Sequence, residues 1–468
     1  MTRIVDACWW LREALAHPEF AGETAPALTG GTSADVAVVG GGFTGLWTAW
    51  FLKQRDPGVD VVVLERDECG FGPSGRNGGF LNGYADHVAG LVDVYGADDA
   101  RAVLDAGDSA VAGVEAFMRD HDVDAWYRAD GSLGVASSQA QVGAWDDTLH
   151  AAERVGLRHR YRVLDRESLA QRCSSPVFEG GVETDDGGTL QPARLVRALR
   201  QACLDAGVRI YEHTPIAPPT PATRGALDTA GGPVRAGTLV LGANAWMASW
   251  PAFRRRIVAR ATYIAITAPA PERLAEIGWT DGVGIFDYRS SLRYLRTTPD
   301  GRIALGVGGQ RGSYSGRIDE RFDVDAEGRR HCVEALHRFF PGFRDVPIEA
   351  SWGGPIDVSS THEPYVGTLP GGRVHFALGY TGNGVGPTHL MGRILAAKAL
   401  GIETDDTALP LVGAEPRPWP VQPFRGAGAS MVNAAVVRRD DALDDGRTPD
   451  PLSRLVAGLP DRFGYHIG

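Results

Sequence analysis

The chain has 468 residues, 43% of them hydrophobic, which suits two lobes sharing one chain better than a single simple core. Its net charge of −11, without a lysine or arginine stripe, excludes electrostatic capture of nucleic acid or an anionic membrane surface. The five cysteines (Cys8, Cys69, Cys173, Cys203, Cys332) are scattered and odd in number, so neither a disulfide framework nor a zinc site is expected, and the absence of eighteen consecutive apolar residues gives a cytoplasmic reading.

Val5 to Ala16 reads as an amphipathic helix with Cys8, Leu11 and Leu15 at helical spacing, a brace within residues 1–30. Ala34 to Val39 is a short apolar run rich in valine, as in a strand buried on both faces of a parallel sheet. It runs into Gly40-Gly41-Gly42-Phe43-Thr44-Gly45, a G-x-G-x-x-G pattern, and then a helix over 46–54. In such a pattern Gly40 makes the tight turn, Gly42 admits a pyrophosphate, Gly45 lets helix and strand pack closely, and the helix N-terminus with Phe43 and Thr44 faces phosphate. Val59 to Leu64 is a second buried strand ending at Glu65 and Arg66, twenty residues beyond Gly45, where the carboxylate can accept from ribose hydroxyls. Strand, turn, helix, strand and acid in register predict dinucleotide binding, with FAD and NAD both open on these residues alone.

Downstream stands Ser74-Gly75-Arg76-Asn77-Gly78-Gly79-Phe80-Leu81. With this segment the chain resembles the D-amino-acid-oxidase-like flavoprotein superfamily, and within it the gamma-glutamylputrescine oxidoreductase branch. In that family an S-G-R-N-G-G segment wraps the flavin end of FAD. The resemblance runs from about residue 9 to 401 and implies FAD as cofactor. Pro192 to Ala206 is amphipathic, with a proline in its first turn and Gly207 after its end, and strand 208–212 follows. In relatives the next segment, here around Ile216, meets adenine. After an apolar strand at 238–241, Gly242-Ala243-Asn244-Ala245-Trp246 stands where the family has A-G-A-W beside the pyrophosphate, so Ala243 and Trp246 are candidate contacts and Asn244 departs from the pattern by replacing a glycine.

Val374 to Leu378 reads as a strand leading to Gly379-Tyr380-Thr381-Gly382-Asn383-Gly384-Val385-Gly386-Pro387 and a helix from 388 to 400. The resemblance implies that this turn holds the flavin, and a helix N-terminus there suits the negative charge of the reduced ring. The expected fold is thus α/β with α+β. A discontinuous Rossmann-type FAD domain (31–90, 160–250, 345–405) joins a substrate domain (91–159, 251–344) built on a large antiparallel sheet. A proline-rich extension (406–468) is read as a strap over the protein's own surface or a dimer mate.

That sheet is read from alternation in 260–267, 292–297 and 303–307 with a Pro299-Asp300-Gly301 turn. By resemblance, Arg296 binds a substrate carboxylate, a role that suits a guanidinium fork. Tyr263, Tyr288 and Tyr294 are candidate pocket walls, and Trp352-Gly353-Gly354 matches a W-x-G segment returning the chain to the cofactor half; His362 is a weaker candidate. The family implies oxidation of a small amine or amino acid, by hydride transfer to the flavin and hydrolysis of the imine. The partners are then a small-molecule amine and oxygen or another electron acceptor, for a monomer or homodimer. Some members of the family link the flavin through a cysteine after the W-x-G segment or a histidine near S-G-R-N-G-G; no cysteine follows Cys332 and no histidine lies between Glu65 and Asp86, so the resemblance implies non-covalent FAD. The only two lysines, Lys53 and Lys398, lie on helices away from the expected flavin, which leaves the acceptor open. A flavin-dependent hydroxylase and a non-catalytic flavin-binding subunit are the alternatives.

Overall fold

The computed structural model describes residues 4–219, 225–313, 316–422, 424–462 and 465. The apolar runs form the spine of a seven-stranded sheet. Thr32–Val39 is central, paired in parallel with Gly232–Leu241 on one side and Val61–Leu64 on the other. Val374–Leu378 and Arg209–Tyr211 extend the parallel set at either side, Tyr365–Thr368 closes one edge antiparallel, and Ala226–Thr229 pairs antiparallel with Gly232–Leu241. Val36 to Val39 and Val61 to Leu64 are buried on both faces, which is why these strands read as continuous apolar runs instead of alternating ones.

On one face, helices Phe43–Arg55 and Pro387–Leu400 pack so closely that a Cβ at Gly392 would sit 2.5 Å from the Trp47 Cβ. The other face shares one apolar cluster with a second sheet, through Leu64 and Leu241 on the first and Ile285 and Leu305 on the second.

The second sheet has eight strands, in the order Ile348–Val358, Val258–Thr267, Ile303–Ser313, Arg293–Thr297, Gly284–Asp287, Ser132–Ala136, Gly180–Thr184 and Tyr161–Asp165. It is mixed, which corrects the expectation of an antiparallel sheet: Gly284–Asp287 runs parallel to Ser132–Ala136, while the other pairs are antiparallel. Alternation specifies which face a residue occupies but not the direction of the neighbouring strand, and the parallel contact falls where a hairpin set from residues 258–313 meets one from 132–184. Tyr161–Asp165 and Gly180–Thr184 belong to this second sheet, so the stretch expected in the cofactor half from residue 160 reaches it only with helix Pro192–Asp205.

Trp9–Leu15 wedges beside helix Pro192–Asp205 and the second sheet, with Trp10 edge-on to Trp352 (5.9 Å) and Glu13 paired with Arg194. After the proline-rich stretch the chain forms a helix not expected from the sequence, Phe424–Asp444. It is pinned to the second sheet by Asp444, which receives Arg289 (2.5 Å) and Arg293 (2.8 Å). All five cysteines are free and buried. Among the described residues no helix is long and apolar enough to cross a membrane, and no group of three His, Cys, Asp or Glu is placed to hold a metal.

Candidate functional site

A cleft opens at the C-terminal ends of the parallel strands, where ligands of open α/β sheets bind. Its first wall is the glycine turn. Gly40 has φ +104°, and a Cβ there would lie 2.7 Å from the Gly242 carbonyl; one at Gly45 would lie 1.9 Å from the Gly40 carbonyl. Only glycine brings strand and helix together at these two points. Gly42, Phe43 and Thr44 line the cleft, where the Phe43 N–H donates to the Ser74 hydroxyl at 2.9 Å. Glu65 also lines it, accepting from the Gly41 N–H (2.7 Å) and the Asp67 N–H (2.8 Å). Burial pushes its carboxyl up and these two N–H groups oppose the shift; each oxygen keeps a lone pair for a ribose hydroxyl.

The second wall follows Gly232–Leu241. Ala243 and Trp246 line the cleft opposite Ile216, and the Arg66 guanidinium lies 4.7 Å above the Trp246 ring while pairing with Asp67. Asn244 has φ +45°, a left-handed conformation that favours glycine and that asparagine tolerates. Its amide donates to Asp357 at 2.8 Å, while its Oδ1 is buried without a protein partner, an acceptor suited to a hydroxyl of a bound dinucleotide.

Asp357 was not singled out from the sequence, and it organises the third wall. Its carboxylate accepts from the Gly379 N–H (2.6 Å) and from Asn244, and its carbonyl accepts from the Thr381 N–H (3.0 Å). Burial pushes this carboxyl up to about 6, against the pull of the Gly379 N–H and Asn244. Within the turn so held, Tyr380, Gly382, Gly384 and Val385 line the cleft, and the Tyr380 hydroxyl meets Thr44 Oγ1 at 2.8 Å. Asn383 turns outward to His87 Nε2 (2.8 Å), and Gly386 packs against the Asn82 carbonyl. Helix Pro387–Leu400 then starts with its N-terminus at the cleft, where Thr388 is a lining residue.

Of the S-G-R-N-G-G segment, Ser74 and Asn77 reach the cleft. Asn77 ties the loop together, donating to the Ser74 carbonyl (2.9 Å) and accepting from the Gly79 N–H (2.8 Å). Arg76 points away, paired with Asp323 at 2.5 Å, while its carbonyl accepts from the Trp352 indole at 2.9 Å. Gly75 packs on the Gly70 carbonyl, Gly78 on the Tyr294 ring and Gly79 on the Leu190 carbonyl. Phe80–Leu81 forms a two-residue strand with Gly188–Thr189, and the Phe80 ring stands edge-on to Tyr294 at 6.0 Å. These residues, with Gly45, Gly379 and Thr381, support the lining without being part of it.

The second sheet brings some of the expected substrate-side residues together and separates others. Tyr294 lies between Gly78 and Gly306, and Tyr288 lies over Gly134 beside Phe286. Trp352 is a buried brace between Trp10 and Arg76. Tyr263 is on the opposite face, against Gly328 of helix Ala326–Phe339, and donates to the Arg321 carbonyl at 2.6 Å. Arg296 is 1% exposed, bonded to the Leu190 and Thr297 carbonyls and 5.2 Å from the Trp10 ring centre, with Nη2 buried and unpartnered. Burial, helped by Arg128, pulls its guanidinium down to about 9.

Crowded glycines that admit a phosphate backbone, a terminal carboxylate for ribose and a held turn at a helix N-terminus define a dinucleotide-binding flavoprotein fold. The chain belongs to the FAD dependent oxidoreductase family, whose model matches residues 35–398. It is 31% identical over 368 residues to the gamma-glutamylputrescine oxidoreductase of Escherichia coli, covering 77% of this chain and 82% of that one. Its fold is similar to glycine oxidase from Geobacillus kaustophilus (TM-score 0.65, 21% identity, 80% of this chain and 96% of that one). It is also similar to L-proline dehydrogenase from P. horikoshii (TM-score 0.63, 17% identity, 82% and 96%). This chain is therefore an FAD-dependent oxidoreductase.

Proposed function

We propose that this enzyme oxidises the carbon–nitrogen bond of an amine or amino acid to an imine, which water hydrolyses to a carbonyl compound and a released amine or ammonia. Bound FAD supplies a two-electron acceptor for the hydride that leaves the carbon beside nitrogen. The observation that carries this reading is the aromatic sheet face over the flavin-wrapping loop, where Tyr294 rests on Gly78 and Phe80, and Phe286 and Tyr288 continue the wall. Such a wall excludes water, orients the C–H bond, and favours the neutral amine, because desolvation disfavours the ammonium. The Escherichia coli relative, named for oxidation of gamma-glutamylputrescine, is in keeping with this class.

In this reading Arg296 draws an anionic substrate group. Its buried Nη2 lacks a protein partner, and the charge acting on it is a second cation, Arg128. The electrons pass on to oxygen or another acceptor; Lys53 is tied to the Pro57 and Val59 carbonyls, away from the turn that holds the flavin.

The test is air-free mixing of holoenzyme with amines, amino acids, N-methyl amino acids and gamma-glutamyl amines while flavin absorbance is followed. Bleaching by one of these classes, weakened by Arg296→Ala for anionic members alone, is the expected result. A flavin that dithionite reduces and no amine does would end the amine-oxidation reading and favour a non-catalytic flavin-binding subunit.

A further inference from the structure

The chain leaves the flavin-wrapping segment through residues 82–87, which touch both the flavin turn and the second sheet. On the turn side, Gly386 packs on the Asn82 carbonyl, and Asn383 meets His87 Nε2 at 2.8 Å. On the sheet side, Asp86 stands beside Ser132 and close enough to Tyr288 to push that phenol up, after burial. Ser132 pairs in register with Gly284, which packs on the Phe80 ring, and shares its face with Gly134, on which the Tyr288 hydroxyl lies. Asp86 therefore faces the same aromatic wall that meets the flavin-wrapping segment.

The charges around it are committed to one another. Glu363 pairs with His87 at 3.1 Å and, against the burial that pulls the ring down, raises it to about 9. Asp186 accepts from the Gly83 N–H (3.0 Å) and the Ala85 N–H (3.2 Å) and lies 4.0 Å from Arg160, which also holds Asp108 and Asp185. Tyr161 donates to the Ala85 carbonyl at 2.8 Å. Asp86 differs: half-buried, it receives the Asn82 amide at a long 3.4 Å and has no ion pair among the described residues. Burial pushes its carboxyl up to about 6, helped by Asp186 and opposed by His87, Asn82 and Ser132.

The groups left unmet around this carboxyl are oxygens. Asn82 Oδ1 is buried without a partner, and Ser132 Oγ, fully buried, lacks a partner at hydrogen-bond geometry. An alkylammonium answers such a set, because it brings three N–H donors and no acceptor. Burial disfavours both charges of an ammonium–carboxylate pair, raising the acid and lowering the amine, so the proton crosses more readily here than in water.

We propose that Asp86, with Asn82 and Ser132 beside it, receives the substrate as its ammonium and accepts one of the ammonium protons. The proposal rests on the amine-oxidation reading. An N–H bond breaks and an O–H bond forms on Asp86, leaving a neutral amine and a neutral acid. The carbon beside nitrogen then gives its hydride to bound FAD while the nitrogen lone pair completes the C=N bond, and the proton on Asp86 passes to water.

Binding and chemistry are read separately. Tert-butylamine has no hydrogen on the carbon beside nitrogen, so it cannot become an imine, and like other alkyl amines it stays an ammonium from pH 5 to 8. Titrated into holoenzyme and followed by flavin absorbance, it binds about tenfold more weakly at pH 5 than at pH 8, as a carboxyl titrating near 6 requires. Asp86→Asn binds it at least tenfold more weakly at pH 8 and loses the pH dependence, and Asp86→Glu restores part of both. In air-free reduction by an amine that bleaches the wild-type flavin, Asp86→Asn raises the half-saturating concentration at least tenfold at pH 7. The two proteins converge toward pH 10, where the amine arrives neutral.

Absence of tert-butylamine binding, wild-type binding indifferent to pH, or a half-saturating concentration unchanged by Asp86→Asn at pH 7 overturns the proposal and leaves amine oxidation standing. A pH dependence that survives in Asp86→Asn belongs to Asp186 or another carboxyl and overturns it too. If tert-butylamine binds as expected while no amine bleaches the flavin, the ammonium site stands and the amine-oxidation reading fails, taking the proton transfer with it.

Discussion

The cofactor cleft and the C-terminal chamber are neighbours on one strand and were built by different means. The cleft is made by backbone: crowded glycines, held turns and a helix terminus shape it, and few side chains do more than complete the wall. The chamber, a second pocket between the edge of the second sheet and helix Phe424–Asp444, is made by side chains from five separated stretches that meet only in the folded chain, with Arg260, Arg425, Trp419 and Tyr465 among them. Substitutions that add one atom should therefore be costly in the first region. The second should tolerate them unless they change its charge or fill it.

Gly45→Ala carries the largest expected effect. Its Cβ would lie 1.9 Å from the Gly40 carbonyl, a backbone atom that cannot yield cheaply. Overpacking costs about 1–3 kcal/mol, which is roughly a tenfold to hundredfold loss of FAD affinity, read as flavin content on purification and by FAD titration of apoprotein. Glu65→Gln comes next, because an amide replaces an oxygen that faces a backbone N–H at 2.7 or 2.8 Å. An unmet buried bond of this kind costs about 1–3 kcal/mol, and FAD titration should show about tenfold weaker binding. Asn433→Asp, by contrast, should leave FAD titration unchanged, and equal loss of FAD there would break the separation of the two regions.

Asp357 offers a pH test of the third wall. Burial raises its folded pKa to about 6 from an ordinary 3.8. Its contribution to stability is therefore full below pH 4 and is lost as pH rises through about 6, by about 3 kcal/mol at 1.36 kcal/mol per unit. Denaturant unfolding of apoprotein should show wild type losing stability relative to Asp357→Asn between pH 4 and 7; a gap that widens the other way would contradict the burial argument. The smallest effect belongs to Asn244→Gly. It loses the 2.8 Å bond to Asp357 and relieves a φ of +45°, so stability should change by less than about 1 kcal/mol.

What the sequence made legible divides along the same line. The turn at Gly40 to Gly45 and the run Val374–Leu378 leading into Gly379 were readable because close backbone approach demands glycine at fixed spacing. Asp357 was missed although it follows Trp352 in a recognisable segment, since an acid at a strand end gives no local sign that it will hold a distant turn. Tyr263 and Tyr294 looked equivalent because each alternates on its own strand; which face meets the flavin loop depends on pairing, and the register shift between Ala261 and Tyr263 adds to the ambiguity. Helix Phe424–Asp444 was hidden because Gly426 and Gly428 weaken its start and its apolar residues form no single stripe. The mixed sheet was beyond reach for the same reason as the chamber: both arise where segments far apart in the chain meet.

The central claim is that carbon–hydrogen cleavage beside nitrogen reduces the flavin. The most direct measurement is the limiting rate of air-free flavin bleaching by whichever of those amine classes reduces it, with and without deuterium on the carbon bearing the amine, from pH 6 to 10. The expected result is a rate slowed severalfold by deuterium and an apparent affinity that improves with pH as the neutral amine becomes available. Bleaching indifferent to deuterium at every pH, or no bleaching by any amine while dithionite reduces the flavin, would contradict it.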